Sequence, residues 1–395
     1  EPASGETCQK IVYIGTMDAK LHGVDADTGA PCAGFGDGGV VDVNQWNTVN
    51  DKWPLSLLQP PTVYHDTLFV GWAGKDWSDS AAPPGTVFAL DARTGALKWM
   101  FHALPNDIIS KTGTANVWAS MSIDPERGLL YLPVSSPSPN YYGGDRLEEL
   151  PLATSVTALD TETGKIAWSR QLIHHDIWDY DTVAPPTLVD IEKDGETVPA
   201  LVQTSKQGFI YVLNRETGEP IYPIEERAVP ASDIEGEVAA PTQPFVDTPA
   251  PVVEEDWPGV FWLADAVSFG KCSERAEKYR WEGRFTPPSL EGTIAYPPTT
   301  GGGQWGGGAV DPRTGIYIVN ANSVVQIYTL IPREAFKEEG QQGEVAGFYQ
   351  QGDVPYGFKL ETFVNWAGMP CWNPPYGTIQ AYDLKTGERL WRKPF

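Results

Sequence analysis

Basic residues are scarce in this sequence: Lys and Arg number 28 against 52 Asp and Glu, a formal net charge of −24 over 395 residues. That balance excludes a nucleic-acid binder, which needs a basic face. It also argues against docking on anionic lipid. No stretch approaches 18 apolar residues, so no transmembrane helix is expected. Helical periodicity is absent at any length. The opening residues Glu1-Pro2-Ala3-Ser4-Gly5 have neither a basic n-region nor an apolar h-region, which fits a removed signal or an internal piece.

Cysteine is sparse as well. Cys8, Cys32, Cys272 and Cys371 form no CxxC pair and no CxxCH haem-attachment motif. An even count suits two disulfides in an oxidising compartment, Cys8–Cys32 and Cys272–Cys371 by sequence order. Three connectivities are open, with buried free thiols as the alternative; Cys8–Cys32 is favoured for its short loop.

Turn-forming residues, by contrast, are abundant: Gly 40 and Pro 35. One pattern recurs, an apolar strand followed by Asp-x-x-Thr-Gly and another strand. It begins at Asp25, Asp91, Asp160, Asp311 and Asp383, and as Asn-x-x-Thr-Gly at Asn214, with a looser relative at Asp124. Asp or Asn at the first position can bond the backbone two residues on, and the closing Gly supplies the positive φ of a hairpin turn with a bulge. Trp99, Trp168 and Trp391 stand four residues after the Gly, and Tyr222 takes that place after Gly218. The repeats start 66, 69, 54, 97 and 72 residues apart. A four-stranded propeller blade takes about 40–50 residues. The chain is therefore read as all-β, a propeller of four-stranded antiparallel blades, as one domain over 1–395. Residues 229–300 form a long loop-rich insertion between blades, and the largest gap leaves room for an unmarked blade.

A glycine-rich run, Gly301 to Gly308, lacks the Lys and following helix of a phosphate loop, so a nucleotide site is rejected there. The densest polar cluster is His174-His-Asp-Ile-Trp-Asp-Tyr-Asp181. Its residues could bind a metal or supply a general base. Read alone, it is favoured as a polar loop anchored by Trp178.

Longer motifs carry a family resemblance. They are Asn116-Val-Trp-Ala119, Tyr142-Gly-Gly-Asp145, His174-His-Asp-x-Trp-Asp179, Glu282-Gly-x-Phe-Thr-Pro-Pro288, Trp305-Gly-Gly and Met369-Pro-Cys-x-x-Pro-Pro-Tyr-Gly377. Over almost its whole length the chain resembles the quinoprotein dehydrogenases that use pyrroloquinoline quinone (PQQ), nearest the membrane-type glucose, quinate and shikimate branch. The resemblance implies an eight-bladed propeller, of which this chain carries an incomplete set of blades. The remaining segments are expected on a second chain or elsewhere in the same polypeptide.

It also implies roles. Asp179 matches the catalytic base, and Trp118 the ring that stacks on PQQ. Lys206 matches the cation at the reactive quinone edge. Asn320 and, less directly, Trp305 match cofactor-site positions. For a Ca²⁺ or Mg²⁺ ion the candidates are Asp76, Asp179 and Ser136. The alcohol-dehydrogenase branch has an asparagine at Ser136, and this departure leans toward the membrane-type branch. Asp176 and Asp181 match no catalytic position and are read as structural. The vicinal cysteine pair of methanol- and ethanol-type enzymes is absent, as is a haem motif. The implied activity is oxidation of a sugar, cyclic polyol or related alcohol in the periplasm, with electrons passed to ubiquinone or a cytochrome. An attachment to the inner membrane would lie in segments outside this chain. Two other readings stand beside it. One is a dehydrogenase of simple or polymeric alcohols. The other is a non-catalytic propeller scaffold.

Overall fold

The computed structural model describes residues 8–47, 55–74, 82–339 and 347–395. Within them every Asp/Asn-x-x-Thr-Gly repeat folds as a turn. Each closing Gly N–H donates to the carbonyl of the first residue, from Gly29 to Asp25 through Gly387 to Asp383, at 2.7–2.9 Å. The six glycines have φ between 68° and 76°. The first-position side chain caps the turn: Asp91 Oδ1 accepts from Thr94 N at 2.8 Å, and Asp160 Oδ1 from Thr163 N at 2.8 Å.

The strands assemble in chain order. β1 (Ile11–Gly15), β2 (Lys20–Asp25) and β3 (Val40–Asp42) form one antiparallel sheet. β4 (Thr62–Tyr64), β5 (Thr67–Val70), β6 (Thr86–Asp91) and β7 (Leu97–His102) form the second. β8 (Ser122–Asp124), β9 (Leu129–Val134), β10 (Ser155–Asp160) and β11 (Ile166–Gln171) form the third. β12 (Thr187–Lys193), β13 (Glu196–Thr204) and β14 (Ile210–Asn214) form the fourth, with a further bridge from Leu213 to Pro220. An arm follows, the hairpin β15 (Glu225–Ala228) and β16 (Thr242–Phe245), and then two short helices, α1 (Trp262–Val267) and α2 (Lys271–Ala276). The rest of the chain interleaves two sheets. Its elements are β17 (Thr293–Ala295), β18 (Gly308–Asp311), β19 (Ile316–Asn322), β20 (Gln326–Pro332), α3 (Arg333–Glu339), β21 (Phe348–Tyr349), β22 (Tyr356–Thr362), β23 (Gly377–Asp383) and β24 (Glu388–Pro394). The orders are β18-β19-β23-β24 and β17-β20-β22-β21.

Alternation along the strands buries both faces of the sheets. In the second sheet Leu68, Val70, Phe88 and Leu90 pack on the first sheet's Leu21, Phe35 and Val41. The intervening Phe69, Val87 and Ala89 pack on the third sheet's Leu130, Leu132 and Leu159. Tyr131, Val156 and Ala158 then face Leu201, Tyr211 and Leu213, and Val189, Val202 and Val212 face Tyr317, Val319 and Tyr382. Sheets stacked this way, with β12 neighbouring both β8 and β18, are successive propeller blades with their first strands innermost.

The repeated aromatics lock blade to blade. Trp99 lies against Gly164 and donates from Nε1 to Thr161 O (3.2 Å). Trp168 lies against Gly218 and donates to Arg215 O (3.0 Å). Tyr222 lies against Gly387, and its hydroxyl donates to Leu384 O (2.7 Å). Trp391, the fourth aromatic at this position, is 37% exposed.

Two features differ from the sequence reading. The gap between Asn214 and Asp311 hides no blade of its own among the described residues. β17 instead pairs with β20, supplied from an excursion between β19 and β23. Among the described residues three short α-helices also form, each too short for periodicity to reveal. Both disulfides take the sequence-order pairing, Cys8–Cys32 and Cys272–Cys371.

Candidate functional site

The connections at one end of the third and fourth sheets converge on a buried polar cluster. The loop from β11 to β12 supplies Asp176, Asp179 and Asp181, the segment after β9 supplies Ser136 and Asn140, and the turn after β13 supplies Lys206. Trp118 enters just before β8, and Thr299 comes from the segment after β17.

At the centre are two carboxylates sharing one cation. Lys206 Nζ donates to Asp181 Oδ2 at 2.6 Å and to Asp179 Oδ2 at 3.2 Å. Thr299 Oγ1 also donates to Asp179 Oδ2. On the other side, Asp179 Oδ1 accepts from Asn140 Nδ2 (2.8 Å) and lies 3.0 Å from Ser136 Oγ. Ser136 Oγ is 2.8 Å from Asp181 Oδ1, and the Ser136 N–H donates to that oxygen at 2.8 Å. Trp118 Nε1 donates to Asp181 Oδ2 at 3.3 Å. Asp179, Asp181 and Lys206 are each at most 7% exposed.

Burial pushes the Asp179 carboxyl above the ordinary carboxylate range; Lys206 holds it down and the Asp181 charge pushes it up further. A carboxylate raised in this direction is a stronger base than a solvated one. Asp179 sits at φ 59°, in the left-handed region, as does His175 at φ 43°. Asp176 is buried behind them, and desolvation raises it to about 7. Its carboxylate accepts from the N–H groups of Trp178 (2.9 Å) and Tyr180 (3.0 Å), on either side of Asp179.

The structure thus brings together Asp179, Lys206, Trp118 and Ser136 as the sequence predicted. It adds Asp181, which the sequence reading set aside as structural, and two residues that reading missed, Asn140 and Thr299. Proximity to the motif was the only sequence signal for Asp181; Asn140 and Thr299 lie in loops whose approach depends on the blade packing. Asn320 and Trp305 are exposed, Trp305 at 67%, and neither touches the cluster. Trp305 follows glycines that lean on the lysine turn: Gly302 N donates to Lys206 O (2.7 Å), and a Cβ on Gly301 would meet Lys206 Cγ at 2.9 Å. Asp76 lies outside the described residues.

The PQQ family described as glucose/ethanol/alcohol dehydrogenase, beta-propeller domain, matches residues 1–395. The chain belongs to that family. It is 34% identical over 412 residues to the quinoprotein glucose dehydrogenase of Escherichia coli K12, covering 100% of this chain and 52% of that relative. It is 35% identical to the glycerol dehydrogenase large subunit of Gluconobacter oxydans 621H, covering 99% of this chain and 56% of that one. This chain therefore spans about half the length of these curated relatives. The fold also matches a solved quinohemoprotein alcohol dehydrogenase from Comamonas testosteroni, with a TM-score of 0.63 at 20% identity, over 98% of this chain and 52% of that one.

Proposed function

We propose that the complete protein oxidises the hydroxyl of a sugar, cyclic polyol or other alcohol, using PQQ. The observation that carries this reading is the Asp179–Lys206–Asp181 cluster: a buried carboxylate poised as a base beside a buried ammonium. Asp179 takes the hydroxyl proton of the substrate on a carboxylate oxygen. PQQ held beside Trp118 and Lys206 would supply the hydride acceptor. Lys206 would steady negative charge developing on such an acceptor, and Trp118 offers a flat face on which a fused-ring cofactor could stack. Burial of Asp179, Asp181 and Lys206 excludes water and strengthens each electrostatic contact among them.

The donor set fits a hard cation. Oxygens of Ser136, Asp179 and Asp181 lie together, all carboxylate or hydroxyl, as Ca²⁺ or Mg²⁺ prefers. Such an ion would supply Lewis acidity there. Asp76 remains a proposed ligand outside the described residues, and Asn320 and Trp305 remain proposed cofactor contacts. A scaffold protein has no use for two buried carboxylates on one lysine, an arrangement with a high desolvation cost. Two disulfides support a periplasmic site of action. Among the described residues no helix is long and apolar enough to cross a membrane. Ubiquinone or a cytochrome is the proposed electron acceptor.

The test is reconstitution of the complete protein with PQQ and Ca²⁺, followed by dye-linked reduction over a panel of glucose, glycerol, quinate and simple alcohols. Reduction with a sugar or polyol supports the reading. Binding of PQQ without reduction by any of them overturns it.

A further inference from the structure

The arm, residues 225–245, falls mostly within the stretch from residue 229 that the sequence marks only as a loop-rich insertion, and the proposed chemistry does not use it. In the structure it grips the loop that carries Asp179. Gln243 is fully buried, and its amide pairs with the backbone of His174 in both directions. Gln243 Oε1 accepts from His174 N at 2.9 Å, and Gln243 Nε2 donates to His174 O at 2.7 Å. Glu237, 8% exposed, has Oε1 2.7 Å from His175 Nε2, and its Oε2 accepts from Gly143 N. At the arm's base, Glu226 Oε1 lies 3.0 Å from His174 Nε2.

The need for such a grip lies in the loop backbone. His175 and Asp179 are both left-handed without being glycine, at φ 43° and 59°. Residues of this kind persist only where their surroundings over-determine them. Asp176 supplies the constraint from inside the loop, through the Trp178 and Tyr180 amides. Arg146, itself buried, donates from Nη2 to the Asp176 carbonyl. The arm supplies the constraint from outside, on the two residues just before Asp176. A side-chain amide bonded to both backbone groups of one residue acts as a one-residue strand partner and fixes that peptide in rotation and height.

We propose that Gln243 and Glu237 are positioning residues for Asp179, acting through the backbone of His174 and the ring of His175. This inference rests on the dehydrogenase reading for its kinetic consequence, but not for its structural one. A base displaced by about 1 Å can lose on the order of a hundredfold in rate while ground-state binding holds. The signature is therefore a fall in kcat with little change in KM.

The experiment uses the complete protein and the variants Gln243→Ala, Glu237→Ala and Glu237→Gln. In the absence of PQQ, amide hydrogen exchange of the peptide spanning 172–181 should speed up about tenfold or more in the alanine variants, with β12 and β13 unchanged. With PQQ and Ca²⁺, kcat should fall about ten- to a hundredfold, with KM for the same alcohol within about threefold. Glu237→Gln keeps an acceptor for Gly143 and a partner for His175, so it should restore most of both. Should Gln243→Ala fail to fold, Glu237→Ala against Glu237→Gln decides. Unchanged exchange in that peptide, a loss confined to KM, or no rescue by Gln overturns the proposal. Exchange in the cofactor-free protein tests the brace alone, so that result holds even if no alcohol is oxidised.

Discussion

Replacing Gly218 by Ala isolates the contact that locks one blade to the next. Gly218 and Gly29 hold the same hairpin position, at φ 74° and 72°. Ala at either carries the left-handed cost of an L residue, about 1–2 kcal/mol. Their surroundings differ. A Cβ on Gly29 meets nothing within 4 Å, whereas one on Gly218 would stand 2.5 Å from Trp168 Cε3. Trp168 cannot step aside easily, being 8% exposed and bonded through Nε1 to Arg215 O at 3.0 Å. Overpacking of this kind costs about 1–3 kcal/mol more. Gly29→Ala should thus lose about 1–2 kcal/mol and Gly218→Ala about 2–5 kcal/mol. Trp168→Ala alone should lose about 3–5 kcal/mol. In that background the extra cost of Gly218→Ala should vanish, a coupling of about 1–3 kcal/mol. Urea unfolding of the complete protein, read as midpoints at constant m, measures all four. Equal losses for Gly29→Ala and Gly218→Ala, or strict additivity of Gly218→Ala with Trp168→Ala, would refute the docking account.

Three further outcomes are expected. Cys272–Cys371 closes a separation of 99 residues and Cys8–Cys32 one of 24. By chain entropy the first should stabilise by about 4–5 kcal/mol and the second by about 3–4 kcal/mol; Cys-to-Ser pairs showing the reverse order in unfolding would contradict this. Trp118→Ala should weaken PQQ binding, while Lys206→Ala should slow reduction more than it weakens binding; identical losses of affinity and nothing else would show that the roles are not divided. Asp176 rises from its ordinary 3.8 to about 7 in the fold. The stabilising effect of its protonated form is complete in acid and is lost as pH climbs through that window. Unfolding from about pH 5 to about pH 8 should therefore penalise the wild type relative to Asp176→Asn, and parallel pH curves would count against it.

The repeats were readable because a turn is local chemistry. An Asp side chain, two intervening residues, Thr and a left-handed Gly close a hairpin without help from the rest of the chain, and all six did so. The blade order followed from the same marks, since Trp99 and Trp168 find the next hairpin's glycine. Interleaving was not readable. β17 and β20 are separated by a complete hairpin, and nothing in Thr293–Ala295 specifies a partner so far along. The site divided along the same line. Asp179, Lys206 and Trp118 were legible through motifs matched to a family. Asp181, read as structural, reaches Lys206 and Ser136, contacts that depend on the direction of one carboxylate and that no motif marks. Asn140 and Thr299 reach Asp179 from 39 and 120 residues away, a proximity created only by blade packing.

The most direct measurement of the central claim, that this buried cluster is a catalytic centre, is the turnover of Asp179→Asn in the complete protein with PQQ and Ca²⁺ bound. The amide keeps the size of the carboxylate and removes the base. PQQ affinity should stay near that of the wild type while dye-linked turnover on the best alcohol falls by at least about a hundredfold, the low end for loss of a general base. A folded, PQQ-loaded Asp179→Asn protein that turns over at the wild-type rate would contradict the account.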